Sequence, residues 1–145
     1  MKTELRRLGV LLTLVLAIGG LLAAPASAGT QSTEATCTGW DYCWFTWGRI
    51  TAGDCTMDQA KWTLYRNGSA KFEAVITSSD SDDAWLMWPV ATDGNGFVLG
   101  AVTHGGDPKF VRGTVENQWT WWFDAGSFDP QFFDRINGMR LTSHC

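Results

Sequence analysis

Three carboxylates stand within four positions of the chain, at Asp80, Asp82 and Asp83, and two tryptophans, Trp85 and Trp88, follow them directly. Carboxylate oxygens are ligands that hard cations such as Ca²⁺ prefer. Flat indole rings beside carboxylates also suit sugars, because a ring face stacks on the indole while hydroxyls bond to Asp. We therefore consider an ion site, a sugar site, and a plain turn ahead of a core strand.

The spacing of an EF-hand loop tests the calcium alternative. With Asp80 at the first position, Trp85 occupies the place that requires glycine and Ala91 the place that requires glutamate. The template fails, so a solvated turn whose Asp and Ser side chains bond to nearby backbone is favoured. A calcium site shared with the loop from Asp93 to Asn95 stays open as the alternative. We predict neither a metal ion nor a cofactor.

Signatures of catalysis are scarce. The chain has no GxSxG, no HExxH and no P-loop. The sequence places no nucleophile near its two imidazoles, His104 and His144, so we expect them to be loop and strand-end residues. Glycoside hydrolysis needs a pair of carboxylates, and an acidic chain always contains some such pair, so its presence decides nothing. A hydrolase is therefore the third of three hypotheses, and we expect a non-catalytic protein.

Tryptophan is the unusual residue type of this chain. The nine tryptophans are Trp40, Trp44, Trp47, Trp62, Trp85, Trp88, Trp119, Trp121 and Trp122. Successive side chains of a strand point to opposite faces, so Trp121 and Trp122 must face apart, and likewise Trp85 and Trp88.

At least three indoles would then lie on the outer face of a sheet, which the polar residues Lys61, Thr63 and Glu73 mark. Either another segment covers these rings or they form an exposed patch, and such a patch is typically a binding surface. The candidate ligand-binding residues are Trp47, Trp85, Trp88 and Trp122, together with Asp80, Asp82 and Asp83.

The segment AKWTLYRNGSAKFEAVIT alternates apolar and polar residues on both sides of a turn, which predicts a β-hairpin. A three-residue loop ending at Gly68 pairs Leu64 with Ala70 and Trp62 with Phe72, and so keeps one face apolar. This loop requires a left-handed residue, so a positive φ is expected at Gly68.

Other strands are predicted at Trp40 to Trp47, Ala84 to Ala91, Phe97 to Thr103, Gln118 to Asp124 and Met139 to His144. Residues 92–96 form a hairpin loop, and Pro89 requires an edge or a bulge because it has no N–H. Asp129 as N-cap, Pro130 at the first position, and the pair Phe128 and Phe133 predict a helix of about two turns.

Four cysteines, Cys37, Cys43, Cys55 and Cys145, indicate two disulfides with three possible connectivities. We expect Cys55 to bond to Cys145 and Cys37 to Cys43. Zinc ligation is the alternative, but the first pair lacks the CxxC spacing that is typical of zinc sites.

The first 28 residues have the pattern of a secretory signal. Three basic residues precede the apolar run Leu8 to Leu22, which ends before Ala26-Ser27-Ala28. Both the general and the twin-arginine export route stay open. Cleavage would leave 14 acidic and 8 basic residues, a formal charge of −6, without a basic cluster for nucleic acid or for a membrane. We predict a flexible lead-in at 29–36 and one monomeric β-domain at 37–145.

The chain contains the pieces GDCTM, WTLYRNGSAKF, TSSDSDDAWLM and the terminal SHC. In these pieces it resembles a family of small exported actinobacterial proteins of unknown function. The resemblance extends from about Phe45 to Cys145. It implies that Cys55 and Cys145 belong together and that Cys37 and Cys43 are additions in this member. It implies no activity.

The sequence thus predicts a secreted all-β protein, a small antiparallel barrel or sandwich of six to eight strands with one short helix near the C-terminus. The first functional hypothesis is a binding protein for a glycan or a small apolar ligand. The alternative is an extracellular protein-interaction module, such as an inhibitor or a cell-surface factor.

Overall fold

The computed structural model describes residues 35–145, which contain two antiparallel β-sheets and one short helix. The predicted signal segment 1–28 and most of the predicted lead-in, up to residue 34, lie outside the described residues. Within the described part of the lead-in, the Ala35 N–H donates to the carbonyl of Asn137 at 3.0 Å.

The first sheet has five strands in the order β1-β3-β4-β8, with β2 pairing with the other end of β3. Its strands are β1 Tyr42–Thr46, β2 Ile50–Ala52, β3 Cys55–Tyr65, β4 Ser69–Ser78 and β8 Thr120–Ser127. The central strands β3 and β4 are long because their apolar alternation continues over eleven and ten residues.

The second sheet has four strands and is built around β5, which pairs with β6 and β7 on one side and with β9 on the other. Its strands are β5 Ala84–Thr92, β6 Val98–Ala101, β7 Phe110–Gly113 and β9 Gly138–His144. Pro89 pairs with Leu141 of β9 and lies between the stretches of β5 that pair with β6 and with β7. Its missing N–H therefore falls where neither of those strands faces β5.

The two sheets do not close into a barrel, so the barrel alternative is wrong and the two-sheet alternative is confirmed. Their facing sides share one apolar core. Trp62 of the first sheet meets Phe110 of the second edge to face, with ring centroids 5.1 Å apart, and stacked or edge-on aromatic pairs of this kind add to the burial energy.

The predicted hairpin is confirmed in register and in loop type. Leu64 pairs with Ala70 and Trp62 with Phe72, and Gly68 has φ = 86°. A side chain at Gly68 would also collide with the carbonyl of Phe128, 2.7 Å from the position of a Cβ. Glycine is therefore required there by both conformation and space.

The other predicted elements are present with shifted ends, and the structure adds the short strands β2 and β7. That makes nine strands within residues 35–145 instead of six to eight, because strands of three or four residues are too short for a period-two pattern. The helix is a 3-10 helix, Pro130–Arg135. Asp129 accepts from the Gln131 N–H at its start, and the Phe128 and Phe133 rings lie 6.4 Å apart.

Both expected disulfides are present, Cys37 to Cys43 and Cys55 to Cys145. The second joins Cys145, which directly follows β9 of the four-stranded sheet, to Cys55, the first residue of β3 in the five-stranded sheet. It therefore links the two layers covalently across a sequence separation of 90 residues, a long loop whose closure restricts the unfolded chain strongly.

Candidate functional site

The acidic stretch Asp80 to Asp83 forms a turn between β4 and β5. The Ser78 hydroxyl donates to Asp83 Oδ2, and Asp80 Oδ1 accepts from the Ser81 N–H at 2.6 Å. Asp82 is exposed, with no neighbouring carboxylate that would complete a cation site around it within residues 35–145. These side chains satisfy local polar groups, as a solvated turn does.

Asp83 does come close to Cys55 and Cys145, within 4.8 Å. The two sulfurs are bonded to each other, so they are not thiolates and cannot act as zinc or other soft-metal ligands. This group of three therefore offers a metal only one carboxylate.

Three of the four predicted ligand-binding indoles are buried, which corrects their assignment to an exposed surface. Trp85 is fully buried, Trp122 is 1% exposed and Trp47 is 6% exposed, while Trp88 is partly exposed. Trp85 and Trp88 do face apart, as do Trp121 and Trp122. The alternation was right, but alternation does not say which of two neighbours points toward the core.

The exposed aromatic rings cluster instead on the outer side of the five-stranded sheet. On its edge strand β8, Trp121 is 52% exposed and Phe123 is 65% exposed. The two rings are nearly parallel, with centroids 5.4 Å apart and an interplanar angle of 9°. Residues two apart on a strand share a face, and here they form one flat aromatic ridge.

A second ridge follows the opposite edge, strand β1. Tyr42 and Trp44 are each about half exposed, and their ring centroids lie 6.0 Å apart. Tyr65 of β3 stands beside Tyr42 at 6.1 Å. Because β3 and β4 separate β1 from β8, the strands that carry the two ridges are three strand spacings apart, about 14 Å.

Polar side chains form the floor between the ridges. Lys61 of β3 pairs across the sheet with Glu73 of β4, and their charged ends form an ion pair. Thr63 and Lys71 are the next cross-strand pair. Three adjoining depressions cover this floor, all lined by Lys61, and together they extend from Trp44 to Phe123. We call this continuous surface the outer groove.

The groove ends at a second ion pair beside another exposed tryptophan. Arg49 bonds to Asp58 at 2.8 Å, and its guanidinium lies over the Trp119 ring, 5.7 Å from the centroid. The hydrogen bond from Arg49, with a further one from the Gln59 N–H, holds the pKa of Asp58 below its usual value.

On the other flank of the groove, the carboxylate of Asp124 contacts three groups. It accepts from the Ala125 N–H at 2.8 Å and from Trp122 Nε1 at 3.3 Å, and it lies 3.1 Å from His104 Nδ1. Glu73 is engaged by Lys61, so both carboxylates that line the groove have protein partners.

Within residues 35–145, no helix is both long enough and apolar enough to span a membrane. The fold and the site thus define a two-sheet, disulfide-linked β-protein with one open aromatic face. The chain belongs to a family of unknown function, DUF6294, whose model matches residues 61–145.

No curated protein sequence matches this chain. Among solved structures, the chain is similar to the crystal structure of Campylobacter jejuni cj0090, with 16% identity and a TM-score of 0.38. The match covers 86% of this chain and 92% of the other.

Proposed function

We propose that this is an exported, non-catalytic protein that binds an extended, uncharged glycan in the outer groove. The observation that carries the proposal is the arrangement of two exposed aromatic ridges, Tyr42 with Trp44 and Trp121 with Phe123, on either side of a polar floor.

The shape of the groove favours a polymer over a small apolar ligand. The strands that carry the two ridges are about 14 Å apart, which is already longer than a single sugar ring. The register places Trp44 in the row of Ala125, four residues along β8 from Trp121. A chain lying diagonally across the strands would therefore stack one ring on Trp121 and a later ring on Trp44, while intervening hydroxyls meet Lys61, Glu73 and Thr63. The depressions are open to solvent along this path, and small apolar ligands are bound in enclosed pockets.

The charges of the groove favour a neutral ligand. Lys61 is paired with Glu73, and Arg49 with Asp58. Lys71 has its ammonium 5.6 Å from the Tyr65 centroid, so the ring partly satisfies the remaining cation. An anionic glycan needs unpaired cations along its path, and this floor offers few.

Export is supported by the signal pattern of the first 28 residues and by the two disulfides, since such bonds persist mainly in oxidising compartments. An extracellular location would also bring the groove into contact with polysaccharides.

A glycan array with neutral and anionic oligosaccharides tests the proposal, followed by titration of the best ligand against Trp121→Ala. We expect neutral oligosaccharides of three or more rings to bind and Trp121→Ala to weaken binding about tenfold, the loss of roughly 1.4 kcal/mol of contact energy. Trp40→Ala is the matched control, because it removes an exposed indole that does not line the groove. Equal binding by wild type and Trp121→Ala would contradict the proposal.

A separate observation favours the alternative, an extracellular protein-interaction module. Trp40 is 65% exposed and stands beyond the ridge of β1. With Tyr42 and Trp44 it lines a depression of about 380 Å³, mostly apolar, that could receive a side chain of a partner. In that case Trp40→Ala would abolish capture of the partner, and neutral glycans would not compete.

A further inference from the structure

We propose that Gln59 is the specificity-determining residue of the outer groove, selecting sugar rings that carry two adjacent hydroxyls. This inference rests on the proposed function and adds which chemical feature of the glycan is recognised.

Gln59 reaches the outer face because of a β-bulge. The pairing between β3 and β4 is regular from Cys55 to Asp58 and again from Lys61 onward, but it shifts between these two residues. Asp58 faces Val75 and Lys61 faces Glu73, so two residues of β3 oppose the single Ala74. Bulges of this kind re-aim side chains and are common beside functional sites.

The consequence for side-chain direction is visible in the burial pattern. Met57 and Ala60 are fully buried, while Asp58 and Gln59 between them are both on the solvent side. Strict alternation would have turned Gln59 toward the core. The bulge therefore adds one polar side chain to the outer face without removing an apolar one from the core.

The bulge forces an unfavourable backbone conformation on this residue. Gln59 has φ = 54°, and Asn117 is the only other non-glycine residue with a positive φ in the described part of the chain. Asparagine tolerates this region, whereas a longer, unbranched side chain such as glutamine gains nothing from it. Residues held in such conformations cluster at functional sites.

Neighbouring groups hold the bulge in place. The Gln59 N–H donates to Asp58 Oδ1 at 2.8 Å, and Asp58 Oδ2 accepts from Arg49. On the other side, the Trp47 N–H donates to the carbonyl of Ala60 at 3.0 Å. The backbone of Gln59 is thus fixed by its surroundings, which leaves its side chain as the part available to a ligand.

The side chain of Gln59 lines the same depression as Trp121, Phe123 and the Lys61–Glu73 pair. Within residues 35–145 the side-chain amide of Gln59 has no hydrogen-bond partner. A carboxamide presents one acceptor and two donors in one plane, so it can bond to two neighbouring hydroxyls at once. A sugar stacked on Trp121 would present its ring edge to this amide, and the neutral amide adds no charge beside the paired Lys61 and Glu73.

Gln59→Gly separates this role from a structural one. Glycine accepts a positive φ without strain, so the variant should keep or raise the melting temperature. It also removes the amide, so we expect about tenfold weaker binding of the best neutral oligosaccharide. Asn117→Gly is the matched control: it changes the other strained position, outside the groove, and should leave binding unchanged.

An oligosaccharide lacking one of the two adjacent hydroxyls provides the second readout. Wild type should bind this deoxy analogue about tenfold more weakly than the parent sugar, whereas Gln59→Gly should bind both equally weakly. Wild-type affinity in Gln59→Gly, with Trp121→Ala still defective, would overturn this inference and leave the proposed function standing. Absence of any glycan binding by the wild type would overturn both.

Discussion

The two faces of strand β8 carry neighbouring tryptophans with opposite environments. Trp122 is 1% exposed and meets Phe72 edge to face at 5.0 Å, inside the core between the sheets. Trp121 is 52% exposed, and its stacking partner among the described residues is Phe123 of its own strand. Among residues 35–145, the second sheet covers the inner face of the first, and the rings of the outer face stay in water.

This difference teaches that tryptophan content alone does not locate a site. The inner indoles, Trp62, Trp85 and Trp122, contribute packing, and among residues 35–145 the Nε1 atoms of Trp62 and Trp85 have no hydrogen-bond partner. The outer indoles lie among ion pairs and threonines that can bond to a ligand. Because buried aromatic area stabilises the fold and exposed aromatic area stabilises complexes, substitutions on the two faces should change different properties.

The largest contrast is expected between Trp122→Ala and Trp121→Ala. The inner substitution leaves a cavity beside Phe72 and should lower the free energy of unfolding by about 3–5 kcal/mol. The outer substitution should cost less than about 1 kcal/mol, since about half of the indole is already exposed and its removal leaves no cavity in the core. Urea denaturation followed by fluorescence measures both, and equal costs would show that another part of the chain covers the outer face.

Gly126 and Ala125 provide a smaller contrast on the same strand. A Cβ at Gly126 would lie 2.8 Å from Val102 Cγ1 and 3.1 Å from Phe110 Cζ, whereas Ala125 is exposed on the groove side. Gly126→Ala should therefore cost about 1–3 kcal/mol through overpacking, and Ala125→Ser should leave the unfolding midpoint nearly unchanged. If the glycine variant were as stable as wild type, the sheets would be packed less tightly than the structure indicates.

The smallest effect concerns acid, which should weaken exposed ion pairs and leave the core between the sheets unaffected. Arg49 lowers the pKa of Asp58 at the end of the outer groove, and Arg66 lowers the pKa of Asp134 on the 3-10 helix. Carboxyls with a lowered pKa in the folded state stabilise it above about pH 4, and that contribution is lost as the pH falls further through the folded-state values. In the described part of the chain, the buried core contains no acidic side chain.

Melting temperatures of wild type and of Asp58→Asn/Asp134→Asn between pH 7 and pH 2 test this. The double variant should be slightly less stable at pH 7 and should lose less stability below pH 4, because both pairs are exposed and contribute little each. Curves that stay parallel down to pH 2 would assign the acid sensitivity to other groups.

The sequence by itself determined the features that depend on neighbours along the chain. The alternation and the loop length set the pairing of Leu64 with Ala70 and the positive φ of Gly68, because a shift of one residue would have mixed the faces. The cap at Asp129 and the pair Phe128 with Phe133 set the helix. The disulfide between Cys37 and Cys43, six residues apart, belongs with them, whereas the expected bond of Cys55 to Cys145 joins residues 90 apart.

The sequence also contains an indication of the β-bulge, which the prediction of the hairpin did not use. Apolar residues recur at every second position, at Cys55 and Met57 and again from Ala60 to Leu64, but the step from Met57 to Ala60 is three. A break of phase inside a strand indicates an extra residue. It predicts a bulge at Asp58 or Gln59, although not the groove beside it.

Only the tertiary structure decided which tryptophans face the core. Alternation separates Trp121 from Trp122, and Trp85 from Trp88, but it fixes their directions only relative to each other. The absolute direction depends on which side of each sheet meets the other sheet, and contacts such as that of Trp62 with Phe110 set this. Residues distant in the chain make that choice, so the indoles named from the sequence were mostly core residues, and the groove became visible only with both layers in place.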